Sequence, residues 1–279
     1  MAPRVRTVGV VFVAVAVAVV LLLALLVAVG LVGVVVRRRS RSRSTGWVVP
    51  VPAVTMPMTV IVLLTCTVQP PTHVAYLKHR DPASRLHTYR SSLAQWSQSG
   101  PLVQIVVVEN SGCHRLQAGS YPCTEFVIFD EATDPDLPIA QPWFSRDDPS
   151  KGAHELVSVR TALSRSATIR AANPLTWVIK VTGRFFVPDL HKHLVTTPEA
   201  ATAVAVRQRD PDRCQLLGAR LQFADALFRG VGKVDMHMES EYKARLENDE
   251  WARHRVLVLP DLPIPVTLGG GDLTPFSSL

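Results

Sequence analysis

The longest hydrophobic segment of the chain lies near its start. Residues Val8 to Val36 carry no charge and are mostly Val, Ala and Leu. The segment is longer than the roughly 20 apolar residues that span a bilayer core. It also greatly exceeds the ~7–15-residue apolar core of a secretory signal peptide. We therefore predict a short tail over residues 1–7 and one transmembrane helix over residues 8–36, kept as a membrane anchor. A cleaved signal peptide is the alternative.

A polar stretch separates this segment from the rest of the chain. Residues 37–57 begin with an Arg/Ser run and continue into a segment with three prolines. Such a composition is typical of a solvated tether, although contact with acidic lipids and control by phosphorylation are alternatives. We interpret residues 37–57 as a stem and residues 58–279 as one folded domain.

Two kinds of hydrophobic segment alternate within residues 58–279. Short runs rich in Val, Ile and Leu predict buried strands, and longer segments with apolar residues three or four apart predict helices. The predicted strands are Thr59–Thr67, Leu102–Val108, Glu125–Phe129, Thr176–Val181 and Ala200–Val206. The predicted helices run from Pro82 to about Ser97, Lys151 to about Ala171, Arg213 to Phe228 and Glu239 to Trp251. This alternation predicts an α/β fold with a single, mostly parallel sheet flanked by helices.

The positive charge of the chain belongs to the flanks of the apolar segment. The net charge of +7 comes from 30 basic and 23 acidic residues. Seven arginines and no acidic residue lie within the first 45 positions, which leaves 23 basic and 23 acidic residues for the remainder. A nucleic-acid-binding domain concentrates basic charge on its folded part, so we expect no nucleic-acid partner.

Two predicted strands end in polar turns. The strand Thr176–Val181 runs through Lys180 into Thr182, Gly183 and Arg184, and the strand Leu102–Val108 is followed by Glu109 and Asn110. Ligands of α/β sheets bind at the carboxyl ends of the strands, and two cations beside a glycine turn suit an anion. We therefore predict a nucleotide-type ligand between these two strand ends.

Further candidate residues lie at the first strand and at a helix start. Thr65 lies near the end of the first predicted strand, and Lys151 and Glu155 open a helix, whose N-terminus attracts phosphate. The predicted ligand-binding residues are Thr65, Glu109, Asn110, Lys151, Glu155, Lys180, Thr182, Gly183 and Arg184. Structural alternatives are an Asx turn at Asn110, helix-dipole compensation by Glu155 and an ion pair between Arg184 and Asp189.

The order of these segments resembles glycosyltransferase-like proteins with a GT-A type nucleotide-sugar-binding domain. The matching pieces are TVIVLLTCT, Arg85-x-x-x-Tyr89, VVVENSG, KGAHELVSVRTAL, VIKVTGRFF, RDPDRCQ, HMESEYK and PVTLGGG, and together they cover roughly residues 58–272. The resemblance implies a GT-A/Rossmann-like fold and transfer of a sugar from a nucleotide-sugar donor to a glycan, protein or lipid acceptor. The ligand-binding residues would then hold the donor. For Arg85 and Tyr89, approach to the donor and surface packing are both open.

The chain departs from the common GT-A pattern at the metal site. The Asp-x-Asp motif that holds a divalent metal in such enzymes is replaced by Lys180-Val-Thr-Gly-Arg184. Cations cannot supply the oxygen ligands that such metals need, so we favour metal-independent transfer. Asp210-Pro-Asp212 does have the Asp-x-Asp form, but Pro211 favours a turn.

Inverting transfer needs a carboxylate that takes the proton of the attacking hydroxyl. Our candidates are Glu239 and Glu241 in the HMESEYK segment, where the resembled proteins also carry Glu; a solvated helix start is the alternative.

The predicted function is therefore that of a membrane-anchored glycosyltransferase, with a catalytically inactive, transferase-like binding protein as the alternative. The resemblance implies a single-pass, type II protein of the Golgi. The Arg/Ser flank favours a cytosol-facing domain by the positive-inside rule, so both orientations remain open. Cys113 and Cys123 flank one loop and are candidates for a disulfide in an oxidising lumen.

Overall fold

The computed structural model describes residues 59–75, 77–119, 121–122, 124–137, 144, 150–230, 237–268 and 275–279. The predicted tail, transmembrane helix and stem, together with Cys123, lie outside these residues. Within the described ranges, no helix combines the length and the apolar character that crossing a bilayer requires.

A seven-stranded sheet forms the centre of the domain, in the order β3-β2-β1-β4-β6-β5-β7. Neighbours among the first four strands are parallel, β6 is antiparallel to β4 and β5, and β5 is parallel to β7. The strands are β1 (Val60–Cys66), β2 (Val103–Glu109), β3 (Thr124–Ile128), β4 (Trp177–Thr182), β5 (Ala205–Arg207), β6 (Leu216–Arg220) and β7 (Val256–Val258); a separate hairpin joins β8 (Pro263–Leu268) and β9 (Pro275–Ser278). The predicted mostly parallel α/β sheet is confirmed.

Helices cover both faces of this sheet. They are α1 (Pro82–Trp96), α2 (Lys151–Arg165), α3 (Ala167–Ala171), α4 (Leu190–Val195), α5 (Pro198–Thr202), α6 (Leu221–Leu227) and α7 (Met238–Asn248), and a 3-10 turn spans His114–Gln117. Successive residues of β1 alternate between two apolar clusters. Val62 packs in the cluster that contains Trp96 of α1, and Leu63 packs in the cluster that contains Leu156 of α2. A strand covered on both faces has a continuous apolar sequence, as β1 does.

Two predicted elements differ in kind from the structure. The predicted strand Ala200–Val206 begins as helix α5, because Pro198 and the capping hydroxyl of Thr197 start a helix before the short strand β5. The predicted helix Arg213–Phe228 contains strand β6, which fills the sheet between β4 and β5. A side chain at Gly218 would place its Cβ 2.3 Å from the carbonyl oxygen of Val178, so this glycine lets β6 approach β4.

The predicted helix from Lys151 to about Ala171 is divided at Ser166. This residue is extended, with φ −65° and ψ 124°, and its hydroxyl caps α3 by accepting from the Ile169 N–H. The Glu125 carboxylate of β3 accepts from the Ala167 and Thr168 N–H groups. The Ser166 hydroxyl and the Glu125 carboxylate therefore cap the start of the second helix.

The strand order reverses around β1, which places the ends of three strands side by side. Thr65 of β1 is in register with Val108 of β2 on one side and with Thr182 of β4 on the other. In open α/β sheets, a reversal of this kind opens a crevice at the carboxyl ends of the strands, where ligands bind.

Candidate functional site

A cleft occupies this crevice at the carboxyl ends of β1, β2 and β4. It encloses roughly 570 Å³, with open solvent at its mouth included. The predicted donor-binding residues that line it are Thr65, Asn110, Lys151, Glu155, Thr182 and Arg184. Arg85 and Tyr89, whose approach to the donor the sequence left open, also line it, and so do His154 and Ser158, which the sequence did not suggest. The structure thus brings most of the predicted residues together at one site.

The Glu155 carboxylate ties α2 to two strand ends. Its Oε1 accepts hydrogen bonds from the Thr65 hydroxyl (2.9 Å) and the Thr182 hydroxyl (3.4 Å), and it pairs with Lys180 Nζ at 2.8 Å. Burial opposes ionisation of Glu155, but the charges of Lys180 and Lys151 and these hydrogen bonds outweigh it, so the pKa of Glu155 is lowered. The carboxylate is therefore charged at neutral pH.

Lys180 lies behind the cleft rather than in its wall. Its side chain is fully buried, and besides Glu155 its ammonium donates to the Cys214 carbonyl and lies 3.5 Å from the Thr182 hydroxyl. Burial would lower the pKa of Lys180, but the nearby Cys214 sulfur, the charge of Glu155 and the hydrogen bond to Glu155 raise it. Direct contact with a donor, as the sequence suggested for Lys180, would require the ammonium to leave these interior partners.

The wall of the cleft carries positive charge. The guanidinium of Arg184 is almost buried and lies 4.9 Å from the Phe185 ring. Arg85 is also buried; it donates to the carbonyls of Thr67 and His79 and to the Tyr89 hydroxyl, and it pairs with no carboxylate of the described residues.

Lys151 adds a third cation at the start of α2. Desolvation in the cleft lowers the pKa of its ammonium; the charge of Glu155 acts to raise this pKa, and the charge of Arg184 lowers it further. The side chain keeps access to solvent. The acidic group of the lining, Glu155, is already paired with Lys180, so the cleft suits an anionic ligand.

Gly183 and Glu109 have structural contacts that the sequence did not suggest. A Cβ on Gly183 would lie 2.3 Å from Cys66 Sγ and 2.8 Å from the Thr65 carbonyl oxygen, which accepts the Gly183 N–H. The close approach at this glycine is thus to β1 and not to a ligand. Glu109 is fully buried, and its carboxylate accepts N–H groups of Val68, Ser111 and Cys113. Both residues therefore hold the strand ends in place from outside the cleft lining.

A network of polar side chains behind Asn110 was not predicted from the sequence. The Asn110 amide nitrogen donates to Glu131 Oε2 at 2.7 Å, and the other oxygen of Glu131 contacts His154 Nδ1. Asn110, Glu131 and His154 are all buried. His154 falls on the α2 face that carries Lys151, Glu155 and Ser158, and this spacing of three and four residues is the signal that could have identified it.

The two predicted catalytic glutamates have different surroundings. Glu241 pairs with the buried Arg245 at 2.7 Å, one helical turn further along α7. Glu239 accepts a hydrogen bond from the Cys214 thiol at 3.4 Å. It is also close enough to Lys180 to raise the pKa of the lysine. Neither glutamate is among the residues that line the cleft.

Asp210 and Asp212 form the predicted turn, although a strand follows it instead of a helix. Asp210 accepts the Asp212 N–H, and Asp212 pairs with Lys243 at 2.8 Å. Within the described ranges, no cluster of three or more His, Cys, Asp or Glu side chains is arranged to hold a metal ion. Cys66, Cys113 and Cys214 are free and buried.

No family model and no curated protein matches the chain. Solved structures that are similar to it include a putative nucleotide-diphospho-sugar transferase from Desulfovibrio desulfuricans, with 16% identity over 73% of this chain and 80% of that chain and a TM-score of 0.41. Mouse xyloside xylosyltransferase 1 has 10% identity over 72% of this chain and 84% of that chain, with a TM-score of 0.36. A 4-diphosphocytidyl-2C-methyl-D-erythritol synthase from Anaerococcus prevotii has 10% identity over 73% of this chain and 89% of that chain, with a TM-score of 0.39.

Proposed function

We propose that the chain transfers a sugar from a nucleotide-sugar donor to a hydroxyl of a glycan, protein or lipid acceptor. The observation that carries the proposal is the charge of the cleft at the carboxyl ends of β1 and β4. Arg85, Lys151 and Arg184 line it, whereas the charge of Glu155 is already matched by Lys180. A diphosphate is an anion that such a cleft can hold, because guanidinium groups bind phosphate oxygens with paired hydrogen bonds.

The same cations suit the chemistry of transfer. As the bond between the sugar and the diphosphate breaks, negative charge builds up on the leaving nucleoside diphosphate, and fixed cations stabilise that charge. The first N–H groups of α2 add to this field. Because these groups neutralise the diphosphate directly, we propose that transfer does not depend on a divalent metal.

The acceptor hydroxyl loses a proton as it attacks the sugar, and a glutamate would take this proton. We assign this role to Glu239, since it lies beside Cys214 and Lys180 at the β4 end of the site, whereas Glu241 is held by Arg245.

Calorimetry with the purified full-length chain tests the donor site. We expect UDP or GDP to bind, and Arg184→Ala to weaken that binding by about 10- to 100-fold through loss of charged hydrogen bonds. Arg253→Ala removes an exposed arginine outside the cleft and should leave affinity unchanged. Absence of binding to any nucleoside diphosphate would overturn the proposal. Hydrolysis of UDP-sugars with and without EDTA tests the independence from metal.

A non-catalytic, glycan- or partner-binding protein is the second candidate. The observation that favours it is that Glu239 and Glu241 do not line the cleft. If this candidate is correct, the chain binds nucleoside diphosphate or glycan. It then releases no sugar from UDP-glucose, UDP-galactose or UDP-N-acetylglucosamine, with or without an acceptor.

We further propose that residues 8–36 anchor the protein in the membrane and that the transferase domain faces the Golgi lumen. The support is the length of the uncharged segment and the sequence resemblance, while the Arg/Ser flank argues for the cytosol. Protease treatment of sealed Golgi vesicles tests the orientation: a protected carboxyl terminus supports the lumen, and a cleaved one places the domain in the cytosol.

A further inference from the structure

Asn110 presents a buried acceptor at the cleft. It follows β2, is 5% exposed and belongs to the residues that line the cleft. Its backbone N–H donates to the Cys66 carbonyl (3.3 Å), and its own carbonyl accepts the Glu131 N–H (3.0 Å). The backbone is therefore held independently of the side chain, so these two hydrogen bonds remain when the side chain is replaced.

Glu131 fixes the orientation of the Asn110 amide. A carboxylate accepts and does not donate, so the amide nitrogen must point to Glu131 Oε2, at 2.7 Å. The Asn110 Oδ1 atom is then left buried, with no hydrogen-bond partner among the described residues. A buried acceptor without a donor is unfavourable, and an N–H or O–H group of a bound ligand would satisfy it.

The order of groups across the sheet indicates which part of a donor meets Asn110. Asn110, Thr65 and Thr182 lie at the ends of β2, β1 and β4, which are neighbouring strands about 4.8 Å apart. Arg184 follows β4, and Glu239 lies beyond it, against Cys214 before β6. With the diphosphate at Arg184 and the sugar towards Glu239, the nucleoside extends towards β2 and Asn110.

We infer that Asn110 selects nucleotide donors whose base carries a ring N–H, and that Glu131 is the positioning residue that sets this preference. Uracil and guanine donate such an N–H, whereas cytosine and adenine present a bare ring nitrogen at the matching position and would set acceptor against acceptor. His154 holds Glu131 from the other side. The inference rests on the proposed function, because it requires that the cleft binds the nucleotide of the donor.

Calorimetry of the full-length chain with UDP, CDP, GDP and ADP provides the test. Each pair, UDP with CDP and GDP with ADP, keeps the ring system of the base and differs at the ring nitrogen and at the exocyclic substituents. We expect the favoured pyrimidine or purine to bind at least about 10-fold more tightly than its partner, the order of effect for one satisfied buried acceptor. Asn110→Leu removes the acceptor and should bring the ratio of the two dissociation constants within each pair close to one.

Glu131→Gln tests the positioning role. A glutamine offers Asn110 either an acceptor or a donor, so the amide is no longer fixed and the ratio should narrow or invert. A merely structural role would weaken both nucleotides of a pair equally. Asn173→Leu serves as the matched control, because the Asn173 side chain already accepts the Leu175 N–H away from the cleft, and it should leave the ratio unchanged.

The outcomes separate the two proposals. If no nucleotide binds, the donor-site proposal falls and this inference falls with it. If nucleotides bind and the two members of each pair bind equally, the donor site stands and selection by Asn110 is overturned. If Asn110→Leu removes the preference but Glu131→Gln preserves it in full, the positioning role of Glu131 is overturned.

Discussion

Lys180 and Glu155 form an ion pair across the base of the cleft, with 2.8 Å between Nζ and Oε1. The pair joins the central strand β4 to helix α2, and the Thr65 and Thr182 hydroxyls bind the same carboxylate oxygen. Lys180 is wholly buried, so its charge depends on this carboxylate for compensation. The sequence predicted that Lys180 contacts the ligand. In the structure Lys180 lies in the interior instead and holds Glu155 in the cleft wall.

Removal of one partner of this pair should destabilise the protein. Glu155→Leu leaves a buried ammonium without a counter-charge, a change that costs about 3–5 kcal/mol in comparable buried pairs. The double variant Lys180→Met/Glu155→Leu removes both charges, so it should recover a large part of the loss. Urea unfolding of the full-length chain, followed by tryptophan fluorescence, measures both. Losses that simply add in the double variant would contradict the coupling.

The same pair should make stability depend on pH at the acidic end. The pKa of Glu155 is lowered from its ordinary value of 4.5, so the contribution of its charge is complete above that value and declines as the pH falls through the lower pKa of the folded state. The pKa of Lys180 is raised from 10.5, so its contribution persists through neutral pH and is lost only above that value.

The free energy of unfolding, measured from pH 3 to pH 9, checks this behaviour. The difference between the wild type and Lys180→Met/Glu155→Leu should be constant from about pH 5 to pH 9 and should shrink below about pH 4.5. A difference that stays constant down to pH 3 would show that the pair does not set this dependence.

Much of the fold could be predicted because each central strand is buried on both faces. The apolar sequence of β1 and the periodicity of α1 fix their types locally. Strand β6 could not be predicted in this way, because its pairing with the central strand β4 joins segments that lie far apart in the chain. Gly218 was the available sign, since a glycine inside a helical pattern disfavours the helix.

The site could be predicted only in part, for a similar reason. Strand ends identified Thr65, Asn110, Thr182 and Arg184, since topology alone brings them together. Lys180 lies between fully buried residues of β4, so its place in an apolar run was a sign that its charge points inward. The approach of Glu131 to Asn110 and His154 depends on the path of a loop, which has no periodic signal.

Gly183→Ala should destabilise the protein by about 1–3 kcal/mol, the usual effect of overpacking in a closed interior. The added Cβ would lie 2.3 Å from Cys66 Sγ and 2.8 Å from the Thr65 carbonyl oxygen. Cys66→Ala added to this variant removes the sulfur, so part of the loss should be recovered, while the clash with the backbone oxygen remains. Thermal unfolding of the two variants and of Cys66→Ala alone gives the comparison. Unchanged stability of Gly183→Ala would show that β1 and β4 can separate here at little cost.

Glu239→Gln and Glu241→Gln should separate catalysis from stability. Glu241 holds the buried Arg245, so Glu241→Gln should lower the free energy of unfolding by about 1–3 kcal/mol and leave the rate per folded molecule near that of the wild type.

Glu239 lies at the β4 end of the site, so Glu239→Gln should reduce the rate by at least about 100-fold, the smaller end of the effect of a general base. Hydrolysis of the UDP-sugar that the wild type cleaves fastest, normalised to the folded fraction, provides the measurement, and UDP affinity serves as the control. If Glu239→Gln keeps the wild-type rate while Glu241→Gln abolishes it, the assignment of the base to Glu239 is wrong. If both variants retain the wild-type rate, the proton is taken by a group outside this helix.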